Sequence, residues 1–194
     1  MIPFACVDEA EYAQLARAFG PCVRMAYEIP MSAASLDEWT QRLARGRRGE
    51  VGMVIVNPAG KVLTHTKSFY PAGIFRIPTG GIGHDERVLD ALRREVWEET
   101  GLEAEVQRLL AVLEYRFTGD AREVRFATYL FLLRADGREP RLQDANERIA
   151  AFRQDDIAGL RRIAEQLEGL SGDWNDWGRF RAVAHRVAAE VLGT

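Results

Sequence analysis

The sequence predicts an α/β fold built in layers, and three of its features carry that expectation. From residue 51 onward, short runs of strand formers alternate with turn signals. A helix-period segment interrupts them at 87–100, and two more helix-period segments follow the last strands. Strands on both sides of a central helix, with helices after them, bury their apolar faces by packing helices on a sheet. A chain of 194 residues that is 47% hydrophobic holds enough apolar material for one sizeable core.

The elements follow in order. "DEAEYAQLARAF" (8–19) and "SLDEWTQRLARG" (35–46) have helical spacing, and Ser35 with Glu38 three residues later is the pattern of a capping box. They make residues 1–48 a helical N-terminal extension packed on a core domain of 49–194 that includes the C-terminal helices. At 51 the period becomes that of strands: "VGMVIV" (51–56), the Asn57-Pro58-Ala59-Gly60 turn and "KVLTHT" (61–66) form a hairpin. A loop, "YPAG", leads into a strand "IFRIP" (74–78) that ends at the glycine loop "TGGIG" (79–83). Residues 87–100 form the central helix, closed by Gly101 at the position favoured for a C-cap. "VQRLLAVLEYRFT" (106–118) and "VRFATYLFLLRA" (124–135) are strands joined by the turn "GDAR". Residues 155–170 and 173–192 are helices. The last has Trp177, Phe180, Val183, Val187 and Val191 at three- and four-residue spacing, an apolar stripe that packs on the domain or on a second subunit of a homodimer.

Composition removes several classes of function. Lys plus Arg number 26 against 29 Asp plus Glu, for a net charge of −3 without a long run of either sign, so neither a nucleic-acid groove nor an anionic membrane surface is expected as partner. Cys6 and Cys22 have no CxxC spacing and are too few for a disulfide framework, which fits a reduced intracellular protein. The first twenty residues lack a leader pattern and no apolar run reaches membrane-spanning length, so the cytoplasm is the expected location.

The central helix poses an electrostatic question. In "RREVWEETG" (93–101), Glu95, Glu98 and Glu99 stand three and four residues apart, and like charges at that spacing destabilise an isolated helix by roughly 0.2–0.5 kcal/mol per pair. At 100° per residue, the apolar stripe of Val88, Leu89, Leu92 and Val96 is centred only about 80° from these carboxylates. They border the buried stripe instead of lying opposite it, and so face a crevice. A solvated face, with Arg94 pairing to Glu98, and a site for a hard divalent cation both fit the helix taken alone.

The wider spacing decides between them. Counting from Gly80, Glu86 follows after five residues, Arg94-Glu95-Val96 after seven more, Glu98-Glu99 after one and Gly101-Leu102 after one. This is GX5EX7RE(aliphatic)XEEXG(aliphatic), met at all nine specified positions over 80–102, and it resembles the signature of the Nudix hydrolase family.

The resemblance implies an α/β/α sandwich with a mixed sheet and hydrolysis of a nucleoside diphosphate linked to another group, with Mg2+ or Mn2+ as cofactor. It implies that Glu95 and Glu99 are direct metal ligands, that Glu98 binds a second metal or polarises the attacking water, and that the Thr79 backbone carbonyl joins the metal shell. Many relatives have glycine where Thr79 stands, which is a departure, and Gly83 and Asp85 stand where acidic and glycine residues are common. Glu86 and Arg94 resemble the pair that fixes the loop against the helix, with Gly80 and Gly101 supporting the site. Some members carry the general base beyond the second long strand, and Glu147 in "DANERIAAFRQDDIAGL" is the candidate here. Asp144 is a weaker alternative, as is Asp155, which an N-cap role explains.

Phe75, Tyr70 and Arg76 precede the metal loop and are the candidates for substrate binding, with Phe69 and Lys67 beside them. Aromatics there can stack a base and the cations can meet phosphate, although aromatics in strands commonly belong to the core. His65, His84 and His185 have no ligand-like partner in sequence and are expected to be structural or solvated. The expected substrate is a small nucleoside diphosphate derivative: a nucleotide sugar, ADP-ribose, a dinucleotide or a modified nucleoside triphosphate. A rival from another class is a non-catalytic nucleotide sensor on the same fold, which would not need both Glu95 and Glu99. A diphosphate isomerase would call for a cysteine near the site, and both cysteines lie far upstream in sequence.

Overall fold

The computed structural model describes residues 6–193; residues 1–5, the start of the stretch that lacks a leader pattern, lie outside them. Seven strands form one mixed sheet: β1 (Val23–Pro30), β2 (Arg47–Val56), β3 (Val62–Lys67), β4 (Thr79–Gly83), β5 (Ala104–Gly119), β6 (Arg122–Ala135) and β7 (Ile149–Asp155). The order across it is β1-β5-β6-β2-β3-β7, with β4 also paired to β2. Side chains alternate along β2: Val51, Met53 and Ile55 enter one apolar core, whereas Val54 enters the other. Helices α1 (Glu9–Phe19) and α3 (Val88–Thr100) cover the first core through Leu15, Val88, Leu92 and Val96. Helices α2 (Ala33–Ala44), α4 (Ile157–Glu168) and α5 (Asn175–Leu192) cover the second through Leu36, Trp39, Ile163, Leu167 and Phe180. The result is an α/β/α sandwich. Among the described residues no helix is long and apolar enough to cross a membrane.

On one side β2 pairs with β6 in parallel along Glu50–Val56. On its other side two strands share the edge, β4 against Arg47–Gly52 and β3 only at Val56. Residues 74–78 run through the opening between them, touching β3 at a single His65–Arg76 bridge. They are therefore not the strand that their composition suggests. "TGGIG" is a strand, β4, and not a loop; its three glycines give no hydrophobic alternation, and pairing with β2 makes the element.

The extension is helical where expected but also contributes β1, parallel to β5 at the edge of the sheet. Neither β1 nor β7, which occupies the opposite edge, has a clean alternation, because most of their side chains are only half-buried or exposed. The turn between β5 and β6 puts both Asp120 and Ala121 at positive φ, the twist that a two-residue hairpin requires. Arg87, at the cap position before α3, makes no side-chain cap, and α1 replaces it: Val88 N–H donates to Glu11 Oε1 at 2.7 Å.

The cap of α2 is Ser32, not Ser35 as the capping-box pattern suggests. Ser35 Oγ instead donates to Asp176 Oδ2 at 2.8 Å, and Ser32 N–H donates to the same oxygen at 2.8 Å, tying α2 to α5. Burial works against the Asp176 charge, but these bonds and Arg179 hold its pKa down at about 2 against an ordinary 3.8. A depressed carboxylate contributes stability above its unfolded pKa and loses it as pH falls through the folded one. Asp176→Asn is thus expected to cost about 2 kcal/mol at pH 7. In thermal melts the gap to wild type should close between pH 4 and 2; a gap that stays constant over that range would contradict the assignment.

Candidate active site

Helix α3 presents its carboxylates at three depths. Glu99 is fully buried, Glu95 is 7% exposed and Glu98 is half-buried. Arg94 organises the shallower part: Nε and Nη2 donate to the two oxygens of Glu86 at 2.8 and 2.9 Å, Nη2 to Gly81 O at 2.9 Å, and Nη1 to Glu95 Oε1 at 2.8 Å and Glu98 Oε2 at 2.9 Å. Glu86 also accepts from Gly83 N–H at 3.0 Å, so one guanidinium joins β4, the turn after it and two carboxylates of α3. Bonding to Arg94 holds the Glu86 carboxyl below its usual range. Burial pushes Glu95 up, against Arg94.

Glu99 differs. Burial raises its pKa to about 7, with Arg76 and Lys67 opposing. Lys67 Nζ forms an ion pair with Oε1 at 3.0 Å, and among the described residues neither carboxylate oxygen has any other partner within hydrogen-bond geometry. His65, with its two ring nitrogens also unpartnered, is 3.9 Å away. A buried polar group left without partners is costly unless something else completes it. Three carboxylates with such an orphan among them form an oxygen donor set that suits a hard divalent cation. In this conformation no three His, Cys, Asp or Glu side chains among the described residues stand together at ligand spacing, and Glu95 and Glu98 are both bonded to Arg94.

Glu147 reaches this cluster through the C-terminal end of α3. Gly101 ends the helix at φ 62°, and the segment after β6 docks on the exposed carbonyls: Arg141 N–H donates to Thr100 O at 2.8 Å, and Gln143 and Asp144 N–H to Glu98 O at 3.2 Å. Glu147, closing the short 3-10 turn Ala145–Glu147, then puts Oε2 2.5 Å from Lys67 Nζ. Burial opposes its charge, yet the Lys67 bond prevails and lowers its pKa. Asp144 caps that turn, whereas Asp155 is not the cap of α4; Asp156 is, and Asp155 accepts from Thr64 Oγ1 and Arg153 Nε instead.

A cavity of about 360 Å³ opens above these groups. Its floor is Thr79, Gly80, Gly81, Glu95 and Glu147, and its walls carry five cations, Arg42, Arg47, Lys67, Arg76 and Arg181, with Phe69, Tyr70 and Trp177. Arg76 is 3% exposed and bonds only neutral acceptors: Tyr70 Oη at 2.6 Å, Ile77 O at 2.8 Å and Thr79 Oγ1 at 2.9 Å. Phe75 does not line this cavity; its ring carries the Arg153 guanidinium at 4.2 Å, because successive residues of an extended segment point to opposite sides. His185 is a structural tie, accepting from Ile77 N–H at 2.9 Å while its Nδ1 faces Arg181 O, and burial lowers its pKa to about 4.

The sequence reading did not find Arg42, Arg47, Trp177 or Arg181 in the site. Two signals for them exist: Trp177 and Arg181 share a helix face at i,i+4, and Glu50, the anchor of Arg181, is a charge inside an otherwise buried strand.

A glutamate-bearing helix joined to a glycine strand through one arginine, inside an α/β/α sandwich, is the Nudix arrangement. Residues 46–169 match the model of the NUDIX domain, and the chain belongs to that family. It is 37% identical over 111 residues to an RNA pyrophosphohydrolase of Psychrobacter cryohalolentis, covering 52% of this chain and 62% of that one. It is 44% identical over 66 residues to an RNA pyrophosphohydrolase of Pseudomonas fluorescens SBW25, 34% of this chain and 40% of that one. The chain thus spans less than two thirds of the length of these curated relatives. Among solved structures, the E. coli dihydroneopterin triphosphate pyrophosphohydrolase aligns with a TM-score of 0.49 and 18% identity over 77% of this chain and 98% of that one.

Proposed function

We propose that the protein is a metal-dependent pyrophosphohydrolase that cleaves the pyrophosphate bond of a nucleoside diphosphate linked to another group. The observation that carries this reading is Glu99, a buried carboxylate with no hydrogen bond to either oxygen among the described residues, ion-paired at 3.0 Å to Lys67 of a cationic cavity whose floor holds Glu95. Glu95, Glu99 and Glu98, with the Thr79 carbonyl, would hold Mg2+ or Mn2+, which supplies charge neutralisation at the diphosphate and lowers the pKa of bound water. Arg94 orients Glu95 and Glu98, and Glu86 fixes Arg94. Lys67 and Arg76 bind diphosphate oxygens, and Tyr70 with Phe69 offers a ring face to the base. Glu147 takes the proton of the attacking water; its bond to Lys67 keeps it ionised for that role.

The test is turnover of a panel with Mg2+ or Mn2+: ADP-ribose, a nucleotide sugar, a dinucleoside polyphosphate, a nucleoside triphosphate and, given the names of the relatives, an RNA with a 5′-polyphosphate end. Metal-dependent release of nucleotide or phosphate from at least one is expected, and its loss with chelator. Tight nucleotide binding without turnover of any compound would replace the enzyme with a sensor.

A further inference from the structure

We propose that α2 and α5 add a second anion subsite, made of Arg42, Arg47 and Arg181, and that the preferred substrate therefore carries a phosphate chain longer than the diphosphate that is cut. The inference rests on the reading above for the place of cleavage and narrows its substrate class.

The subsite is built around Glu50, a carboxylate 1% exposed on β2. Arg181 Nη1 donates to its Oε1 at 2.7 Å, Thr128 Oγ1 to the same oxygen at 2.9 Å, and Arg47 Nη2 to its Oε2 at 3.2 Å. Two guanidiniums thus share one carboxylate and leave a net positive charge, both lining the cavity. Arg181 is 7% exposed, and its Nε has no partner among the described residues. Arg42 comes from α2 to the same wall, paired with Glu38 and lying over the Trp39 ring of its own helix.

As a structural tie alone, one arginine would satisfy Glu50; a second, and Arg42 beside them, add cations that no buried anion answers. Clustered guanidiniums suit a multiply charged phosphate, whose oxygens match their paired N–H groups. The group recognised is contiguous with the scissile diphosphate, because Arg47 lies against Gly81 of the floor: a Cβ there would be 3.1 Å from Arg47 Nε. Arg47 and Glu50 lie within the family-matched 46–169, whereas Arg42, Trp177 and Arg181 lie outside it, on α2 and α5.

The test is equilibrium binding, with Mg2+, of a nucleoside triphosphate with methylene groups at both the α,β and the β,γ bridge against the α,β-methylene diphosphate of the same nucleoside. Wild type should bind the triphosphate about tenfold more tightly. Arg42→Ala, whose side chain is 40% exposed and safe for folding, should reduce that preference severalfold. Glu50→Gln with Arg181→Gln, which removes both members of the buried pair together, should abolish it. Equal affinity for the two ligands in wild type, or the same loss for both in the variants, would overturn the proposal. The analogues cannot be cut, so this outcome is independent of turnover; failure of the panel above with preference intact would remove the enzyme and leave the subsite.

Discussion

Glu99→Gln is expected to lower kcat about a thousandfold, the equivalent of about 4 kcal/mol at the transition state, while leaving the fold at least as stable as wild type. The two halves of this expectation have one cause. Glu99 is a carboxylate with no exposed surface and no hydrogen bond to either oxygen among the described residues, and burial outweighs the opposing charges of Arg76 and of Lys67 at 3.0 Å, which is an expensive arrangement for a protein that gains nothing from it. Replacing the carboxylate by an amide removes the buried charge, and Lys67 keeps Glu147 at 2.5 Å as its counter-ion. Without metal the variant should therefore melt roughly 2–4 °C higher for each 1 kcal/mol gained. A ligand at a hundred times its Kd stabilises by about 2.7 kcal/mol, so Mn2+ should raise the melting temperature of wild type and do so far less in the variant. Activity within a few fold of wild type, with a full metal-induced rise, would remove Glu99 from the metal site.

The site was legible in the sequence to the extent that local spacing dictates it. Glu95, Glu98 and Glu99 border the buried stripe because helix periodicity puts them there, and their gradation in depth follows from the same wheel. Gly101 is at positive φ as a C-cap requires. Glu147, far from α3 in sequence, faces the cluster because the exposed carbonyls of the last helical turn anchor the chain before it. What was not legible depends on long-range pairing. Strands β1 and β7 are made by the edges they extend, and β4 by β2. The face of α5 that carries Trp177 and Arg181 reads as part of an apolar stripe with scattered charge until Glu50, 131 residues earlier in the chain, turns out to lie beneath it. Phe75 and Arg76 differ by one residue and so by a whole side of the segment, a distinction that composition does not contain.

The second large effect is expected from Gly80→Ala, the addition of a single methyl group on the cavity floor. Glycine at this position reads most simply as freedom to turn, but Gly80 is not among the residues at positive φ, and it lies in a paired strand, opposite Val51. Its requirement is closeness: a Cβ there would stand 2.0 Å from both Cγ and Cδ of Glu95 and 2.3 Å from Oε2. Neither side can yield freely. The backbone is fixed by β2, and the carboxylate by Arg94, which also holds Glu86, Glu98 and Gly81. The methyl group should thus displace Glu95 by the order of 1 Å, and a misplacement of that size costs about a hundredfold in kcat/KM. Overpacking adds about 1–3 kcal/mol of destabilisation. Gly83→Ala separates this explanation from a general need for glycine in "TGGIG", because its Cβ would meet only Glu86, at 3.4 Å, an ordinary contact. Kinetics and melts of the two variants side by side decide the matter: if Gly83→Ala is as damaging as Gly80→Ala, the close approach to Glu95 is not the reason for the glycine. If only Gly80→Ala loses activity, the first glycine of the signature is there to let the Glu95 carboxylate lie flat on a strand.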